Sequence, residues 1–422
     1  MRLKTSTANL LLDTRQGLPA GKLWPVKTLL TPLLSGLLVV FLFSCVFDPA
    51  DKILSGKVWL FVGAWIVAIV SVITTKEPVK ISLGLLIYIL LFISIPILSI
   101  LGYFARGGTA PYEGANYLKG YILISLAMLL VITRVSLVRR LSIILTILAF
   151  VIVFVYFVIK LFPDLYLAVY AFGLTTGLVQ LDDARQYGDE VVMTQVYFVT
   201  SPMLIVPIAY YFNLMSVKIK SKEKILAFAL MGLNIAAMIL AGSRNNILAA
   251  ILFPLVLWVG TSRRKRLAYM SAFCVALFIV WVFRREVGAF FDPNEISNSI
   301  KISLIEDYWK IFQDVMTLTF GQGLGSFHYF EGRGLISVTE LTFLEMVRNF
   351  GLFGASIMAL LLVLPAARGF TTPSRRELSG LSLGYVFFLI MSASNPLLFS
   401  SMGVLILSVL MSEIYRDRRQ IS

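Results

Sequence analysis

A chain of 422 residues that is 58% hydrophobic and 14% charged, with a mean hydropathy of +0.87, carries more apolar surface than a soluble fold can hide. Its formal net charge of +14 would suit a nucleic-acid partner, but the basic residues sit at the edges of apolar runs, which argues for membrane surfaces and no nucleic acid. One histidine and two cysteines, Cys45 and Cys274, both inside apolar runs, exclude a multi-histidine or zinc–thiolate centre, so no metal and no cofactor is expected.

Apolar runs long enough to cross a bilayer core of about 30 Å recur along the chain. They predict an all-α polytopic membrane protein of about 12 transmembrane helices in a single integral domain, residues 1–422. The expected spans lie near 28–47, 58–75, 81–103, 120–133, 141–162, 195–213, 225–242, 247–261, 267–283, 341–365, 379–393 and 396–413, each bound good to about two to four residues. The first 27 or so residues are polar and basic and the first run is long enough to span, so a cleavable signal peptide is not expected. Polar segments between spans alternate in sign. The N-terminus, "TKEPVK", "RVSLVRR", "KIKSKEK", "SRRKR", "RGFTTPSRRE" and "YRDRRQ" hold roughly 24 of the 37 Lys and Arg, which places them, and both termini, in the cytoplasm.

Length accumulates on the opposite side. A loop of about 16 residues runs near Ala105–Lys119, an external loop covers 163–194, and a large one, 284–340, carries short helices between spans nine and ten. Loops beyond about 15 residues are usually functional or disordered, so the working surface is expected outside the cytoplasm. The chain shows no internal repeat, which disfavours a transporter built from matching halves.

Several external stretches could carry chemistry. "LDDARQYGDEVVMTQVYF" sets Arg185 among Asp182, Asp183, Asp189 and Glu190, ahead of span six. "AGSRNNIL" joins spans seven and eight too tightly for a loop and places Arg244, flanked by Ser243, Asn245 and Asn246, at the external boundary; such a residue faces a cavity or partner more often than lipid. "FRREVGAFF" adds Arg284 and Arg285 against the positive-inside trend, and the arginine fork suits phosphate oxygens. "FGQGLGSFHYFEGRG" resembles a phosphate-binding glycine loop but lacks the "GK[ST]" of a P-loop and lies outside the cell membrane. Its Gly323 and Gly325 either make turns or let backbone amides approach an anion or sugar. Its Phe320, Phe327, Tyr329 and Phe330, with Tyr308 and Trp309, offer aromatic faces to sugar rings, and the loop is expected to act as a lid. His328 there is a lone histidine beside aromatics. "SVTELTFLEMVRNFGLFG" places Glu340, Glu345 and Arg348 at external depth; Glu345 and Arg348 are spaced to neutralise each other. Glu340, partly dehydrated, would suit a general base.

The order of these motifs resembles the O-antigen polymerase and ligase superfamily: Ser243-Arg244 after a span, "GQGLGSF" in a large external loop, then "GLFG" opening the next span. The resemblance covers roughly residues 185–365. In the ligases a histidine typically stands eleven residues before the first glycine of the last motif; here that position is Glu340, which resembles the polymerase branch. The resemblance implies a multi-span fold of the lipid-dependent glycosyltransferase, GT-C-like, type in the bacterial inner membrane. It implies a metal-independent glycosyltransferase with a periplasmic active site acting on undecaprenyl diphosphate-linked oligosaccharide and polymer, without nucleotide. A chain-length regulator protein is a candidate partner, and membrane lipids surround the spans.

Carried onto this sequence, the resemblance assigns Arg244 and Glu340 as catalytic. Arg185, Arg284, Arg285, Arg348 and Asn245 are candidates for the diphosphate, and Gly323, Gly325, Phe327 and Tyr329 for the glycan. Arginines would bind the leaving diphosphate, and Glu340 would accept the proton of the attacking hydroxyl. Two alternatives stay open. A ligase would transfer finished polymer to lipid A core; a transporter or flippase would carry ionisable residues near mid-membrane.

Overall fold

The computed structural model describes residues 24–75, 81–108, 111–187, 190–216, 220–262, 264–282, 296–331, 333–371 and 376–417. The chain opens with α1 (Trp24–Phe47), α2 (Lys57–Thr75) and α3 (Leu83–Ala105). Helices α4 (Pro111–Ile122) and α5 (Leu126–Thr133) are joined by one 3-10 turn and run on as a single apolar stretch. They are followed by α6 (Val138–Leu161), α7 (Tyr166–Thr176), the strands β1 (Val179–Tyr187) and β2 (Glu190–Phe198), α8 (Ile205–Ser216), α9 (Ser221–Leu240), α10 (Arg244–Thr261) and α11 (Lys265–Val282). The last part holds α12 (Ile296–Ile311), α13 (Val315–Phe320), β3 (His328–Phe330), β4 (Gly334–Ile336), α14 (Thr342–Thr371), α15 (Arg376–Ser392) and α16 (Ser401–Asp417).

Among the described residues, eight stretches are long and apolar enough to cross a membrane: the first three helices, Glu113–Thr133, α6, α9, α10 and α14. The other four expected spans fall on α8, α11, α15 and α16; α8, α15 and α16 are shorter, at 12, 17 and 17 residues, whereas α11 matches α10 at 18. Position explains two of these. The turn Ser201–Leu204 with the first half of α8, and nearly all of α16, are buried among other helices, so they meet no lipid and tolerate Ser408, Ser412 and Glu413. Around them α6 packs on α8 and α9, α15 on α8 and α14, and α5 on α16, over one continuous apolar core. The outward faces are apolar too. Trp59 is 76% exposed and Phe150, Phe154 and Phe157 follow one another along a face of α6, a surface suited to acyl chains and not to water.

The two long loops lie at one end of the bundle, and they correct the all-α expectation locally. The 163–194 loop folds as α7 and an antiparallel hairpin, β1 on β2, with Val179 opposite Phe198 and Tyr187 opposite Glu190. Consequently span six does not begin at residue 195: the strand continues to Phe198 and helical structure starts at Ser201. A short apolar run rich in β-branched and aromatic residues is ambiguous between strand and helix, and "VVMTQVYF" resolves to strand because a partner strand lies beside it. The 284–340 loop contains α12, α13 and a second small hairpin, β3 on β4.

Candidate functional site at the loop-rich end

Gly242 ends α9 with φ +68°, and a Cβ there would stand 2.7 Å from Gln195 Cγ on β2, so the turn is pressed against the first hairpin. Ser243 is extended and α10 begins at Arg244. Three consecutive side chains then tie three segments together. The Arg244 Nη1 donates to Asn298 Oδ1 of α12 at 3.1 Å, Asn245 Nδ2 to Ser394 Oγ at 2.5 Å, and Asn246 Nδ2 to Ser201 Oγ at 2.8 Å. Residues 393–395 also clasp the start of α14, because the Thr342 amide donates to the Ala393 carbonyl and its Oγ1 to the Asn395 carbonyl. One short connector therefore links the first turn of α10 to the first turn of α14. Arg185 stands on β1 opposite Met193. Arg284 and Arg285 lie outside the described residues.

The glycine loop is not a lid over the site. Gly321, Gly323 and Gly325 all have positive φ, and Gly323 and Gly325 are buried. A Cβ on Gly323 would run into Tyr103 of α3, and one on Gly325 into the backbone of Gly114 in α4. The loop is a wedge between α3, α4 and α14, and glycine is required so that backbones can touch. Its hydrogen bonds agree: the Gln322 amide donates to the Arg348 carbonyl at 2.6 Å and the Leu324 amide to Ser99 Oγ at 2.8 Å. Its margin is open, with Phe320, Phe327 and Tyr329 exposed, as is Trp309 on α12.

Arg348 is corrected from a diphosphate ligand to a buried strut. Its side chain is 0% exposed and every nitrogen is engaged by protein: Nε and Nη2 donate to Glu345, Nη1 to Gln322 Oε1 and to both oxygens of Ser326, and Nη2 also to the Ser337 carbonyl at 2.7 Å. Glu345 accepts further from Tyr308 OH at 2.5 Å and Asn349 Nδ2 at 2.9 Å. Burial, and then the Glu345 carboxylate, push the Tyr308 phenol well above its ordinary range, so it stays protonated as a donor. Sequence spacing found the Glu345–Arg348 pair but missed Thr342 and Asn349. Thr342, Glu345 and Asn349 are three and four apart, one helix face, and that polar stripe was the available signal.

Glu340 sits outside this cluster. Its side chain pairs with Arg333 and is 28% exposed, while its backbone belongs to the 338–342 segment leading into α14. Among the described residues no group of three His, Cys, Asp or Glu could hold a metal ion.

The second hairpin is pinned to α12 by Asp307, whose Oδ2 accepts the Glu331 amide at 2.8 Å and whose Oδ1 pairs with Lys310 at 3.0 Å. The Glu331 amide, ahead of Lys310, holds the Asp307 carboxyl below its ordinary 3.8. His328, edge-on to Phe330, is pushed below 6.5, first by burial and then by Arg348. Both shifts have one sign. Each favours the deprotonated folded form, so the contribution is present above the unfolded value and is lost as pH falls through the folded one. Protection of the Glu331 amide against hydrogen exchange, corrected for intrinsic rate, should therefore soften below pH 6.5 and fall further below 3.8. Flat protection from neutral pH to pH 3 would contradict this pin.

No family model matches the chain. Its sequence is 29% identical over 139 residues to an O-antigen polymerase of Shigella flexneri, across 33% of this chain and 34% of that protein. The similarity supports the O-antigen polymerase superfamily. It does not distinguish polymerase from ligase, and the match spans about a third of the length of that curated relative. Among solved structures, a chain of a peptidoglycan synthase complex, from work on its coordination of polymerization and crosslinking, aligns with a TM-score of 0.41 and 17% identity, over 80% of this chain and 98% of that one. The three short stretches that carry the resemblance occupy two places in the fold. Ser243-Arg244 opens α10, whereas the glycine loop and "GLFG" pack on each other, Gly351 lying against Thr319 and Phe320.

Proposed function

We propose that the protein is a polysaccharide polymerase of the lipid-dependent, GT-C-like kind. It moves a growing glycan from undecaprenyl diphosphate onto the terminal sugar of a lipid-linked repeat unit at the periplasmic face of the inner membrane. The observation that carries this reading is the clasp of residues 393–395, which holds the turn bearing Arg244 and the segment bearing Glu340 to one connector. A cation and a carboxylate at one end of a membrane bundle are what transfer from a lipid diphosphate requires. The acceptor oxygen bonds to the anomeric carbon as the bond from that carbon to the diphosphate breaks. The hydroxyl proton passes to Glu340, undecaprenyl diphosphate leaves, and Arg244 stabilises the growing charge. Arg185, Arg284, Arg285 and Asn245 are further contacts for the diphosphate, and a chain-length regulator is a proposed partner.

Arg244→Ala should lower turnover by about 10²–10³-fold, the range for removing a charge-stabilising donor. Glu340→Gln should lower it by about 10²-fold or more, with normal protein levels in both. The assay is lengthening of a polyprenyl diphosphate oligosaccharide by purified protein, read on a gel. Wild-type ladders from both variants would sink the assignment. Transfer of finished polymer to lipid A core, without lengthening, would make the protein a ligase.

A further inference from the structure

Between the start of α14, the middle of α4 and the 393–400 connector lies a cavity of about 150 Å3, with no cation among the described residues that line it. Thr342, Glu345 and Asn349 form its buried floor, and Tyr117, Val338 and Phe399 its half-buried mouth. By the ~15 Å3 that one buried water needs, this is space for about ten waters, the bulk of one sugar ring and not of a chain.

Three features select the occupant. The carboxylate on the floor, Glu345, is already neutralised by Arg348 and spanned by Tyr308, so the floor gives a diphosphate no cation to bind. Asn349 is 5% exposed; its Nδ2 donates to Glu345, whereas its buried Oδ1 has no hydrogen-bond partner and calls for a donor. Phe399 stacks on Tyr121 with ring centroids 5.0 Å apart, and Phe350 meets both rings edge-on, which makes one side a fixed aromatic wall. A neutral ring with hydroxyl donors on its rim and C–H groups on its faces satisfies all three.

We infer that this cavity binds the uncharged terminal sugar of the acceptor glycan. The donor sugar is attached to diphosphate and must lie near cations, which leaves the acceptor for a site without them. Val338, Thr339 and Thr342 line the cavity, so it lies beside the segment that carries Glu340, the proposed base. The word acceptor rests on the polymerase reading; the preference for a neutral sugar does not.

The test uses the full chain in detergent and, as probe, the free oligosaccharide released by mild acid from the lipid-linked repeat unit of the same cells. Saturation-transfer NMR reads binding without any turnover. Wild type should show transfer to the terminal ring. Val338→Trp, which fills the mouth without removing a side-chain hydrogen bond, should bind at least about tenfold more weakly, and Asn349→Ala should weaken binding as well. Normal elution and melting of Val338→Trp establish that it is folded. Binding by Val338→Trp equal to wild type, or loss on Trp309→Ala alone, would overturn the cavity in favour of the exposed loop aromatics. Absence of transfer in the wild type would overturn it too. If lipid-linked glycan is not lengthened but the oligosaccharide binds and Val338→Trp abolishes it, the cavity stands and the polymerase reading fails. If Val338→Trp lengthens glycan with an unchanged KM for acceptor, the reverse holds.

Discussion

Arg348→Ala should remove most of the folded protein from membranes. The side chain is fully buried, and truncation leaves the Glu345 carboxylate without its cation and the oxygens of Ser326, Ser337 and Gln322 without a donor. Breaking a buried ion pair from one side costs about 3–5 kcal/mol, a large share of the roughly 5–15 kcal/mol that holds a typical domain together. Arg348→Lys should do little better, because one ammonium cannot reach acceptors arranged for a planar fork. Glu345→Ala should be nearly as damaging, since it strands the guanidinium. The pair Glu345→Leu with Arg348→Met should recover part of the loss, as removing both charges removes the unpaired one. Size-exclusion recovery and thermal melting of detergent-solubilised protein check all four. A diphosphate ligand at this position would give the opposite pattern: Arg348→Ala folded and melting normally, with only KM raised.

Gly351→Ala should cost about 3 kcal/mol or more. Gly351 has φ +68° and ψ 173°, a region open essentially to glycine alone, where another residue is strained by roughly 1–3 kcal/mol. Beyond the strain, the new Cβ would overlap the Thr319 carbonyl, and forcing a methyl into a close-packed contact costs roughly 1–3 kcal/mol more. That residue breaks α14 into two helical pieces, so Arg348 and Asn349 end one turn there while the chain continues at a new angle. Gly36→Ala in α1 is the control: a Cβ there meets nothing within 4 Å, and alanine is the better helix former by about 1 kcal/mol. A Gly351→Ala protein that melts with the wild type would show that the break is dispensable.

The comparison of Gly351 with Gly36 also shows where sequence stopped. Both stand in apolar runs that read as helix, and hydropathy cannot tell a glycine facing lipid from one pressed on another backbone. The spans themselves were legible, because a bilayer demands about twenty apolar residues wherever a helix meets lipid. The rule weakened for α8 and α16, which sit inside the bundle and are not read by lipid at all. "VVMTQVYF" failed for a different reason: strand and helix are equally apolar at that length, and a partner strand decided between them.

For the site, the sequence by itself determined which residues were out of place in a membrane: Arg244 after a span, Glu345 and Arg348 near the opening of another, three glycines spaced two apart. Tertiary structure alone decided what each does. Arg348 became a strut because six acceptor atoms from the helix, the glycine loop and Ser337 close around it, contacts separated by 3 to 26 residues in the chain. The glycines became a wedge because α3 and α4 leave no room for a Cβ. Asn349, unremarked in the sequence, gained its place because its amide lines a cavity and its oxygen faces no protein donor. Composition and hydropathy are local and additive, so they report which solvent a segment meets. Hydrogen-bond satisfaction and backbone contact depend on what folding brings alongside, which no local pattern encodes.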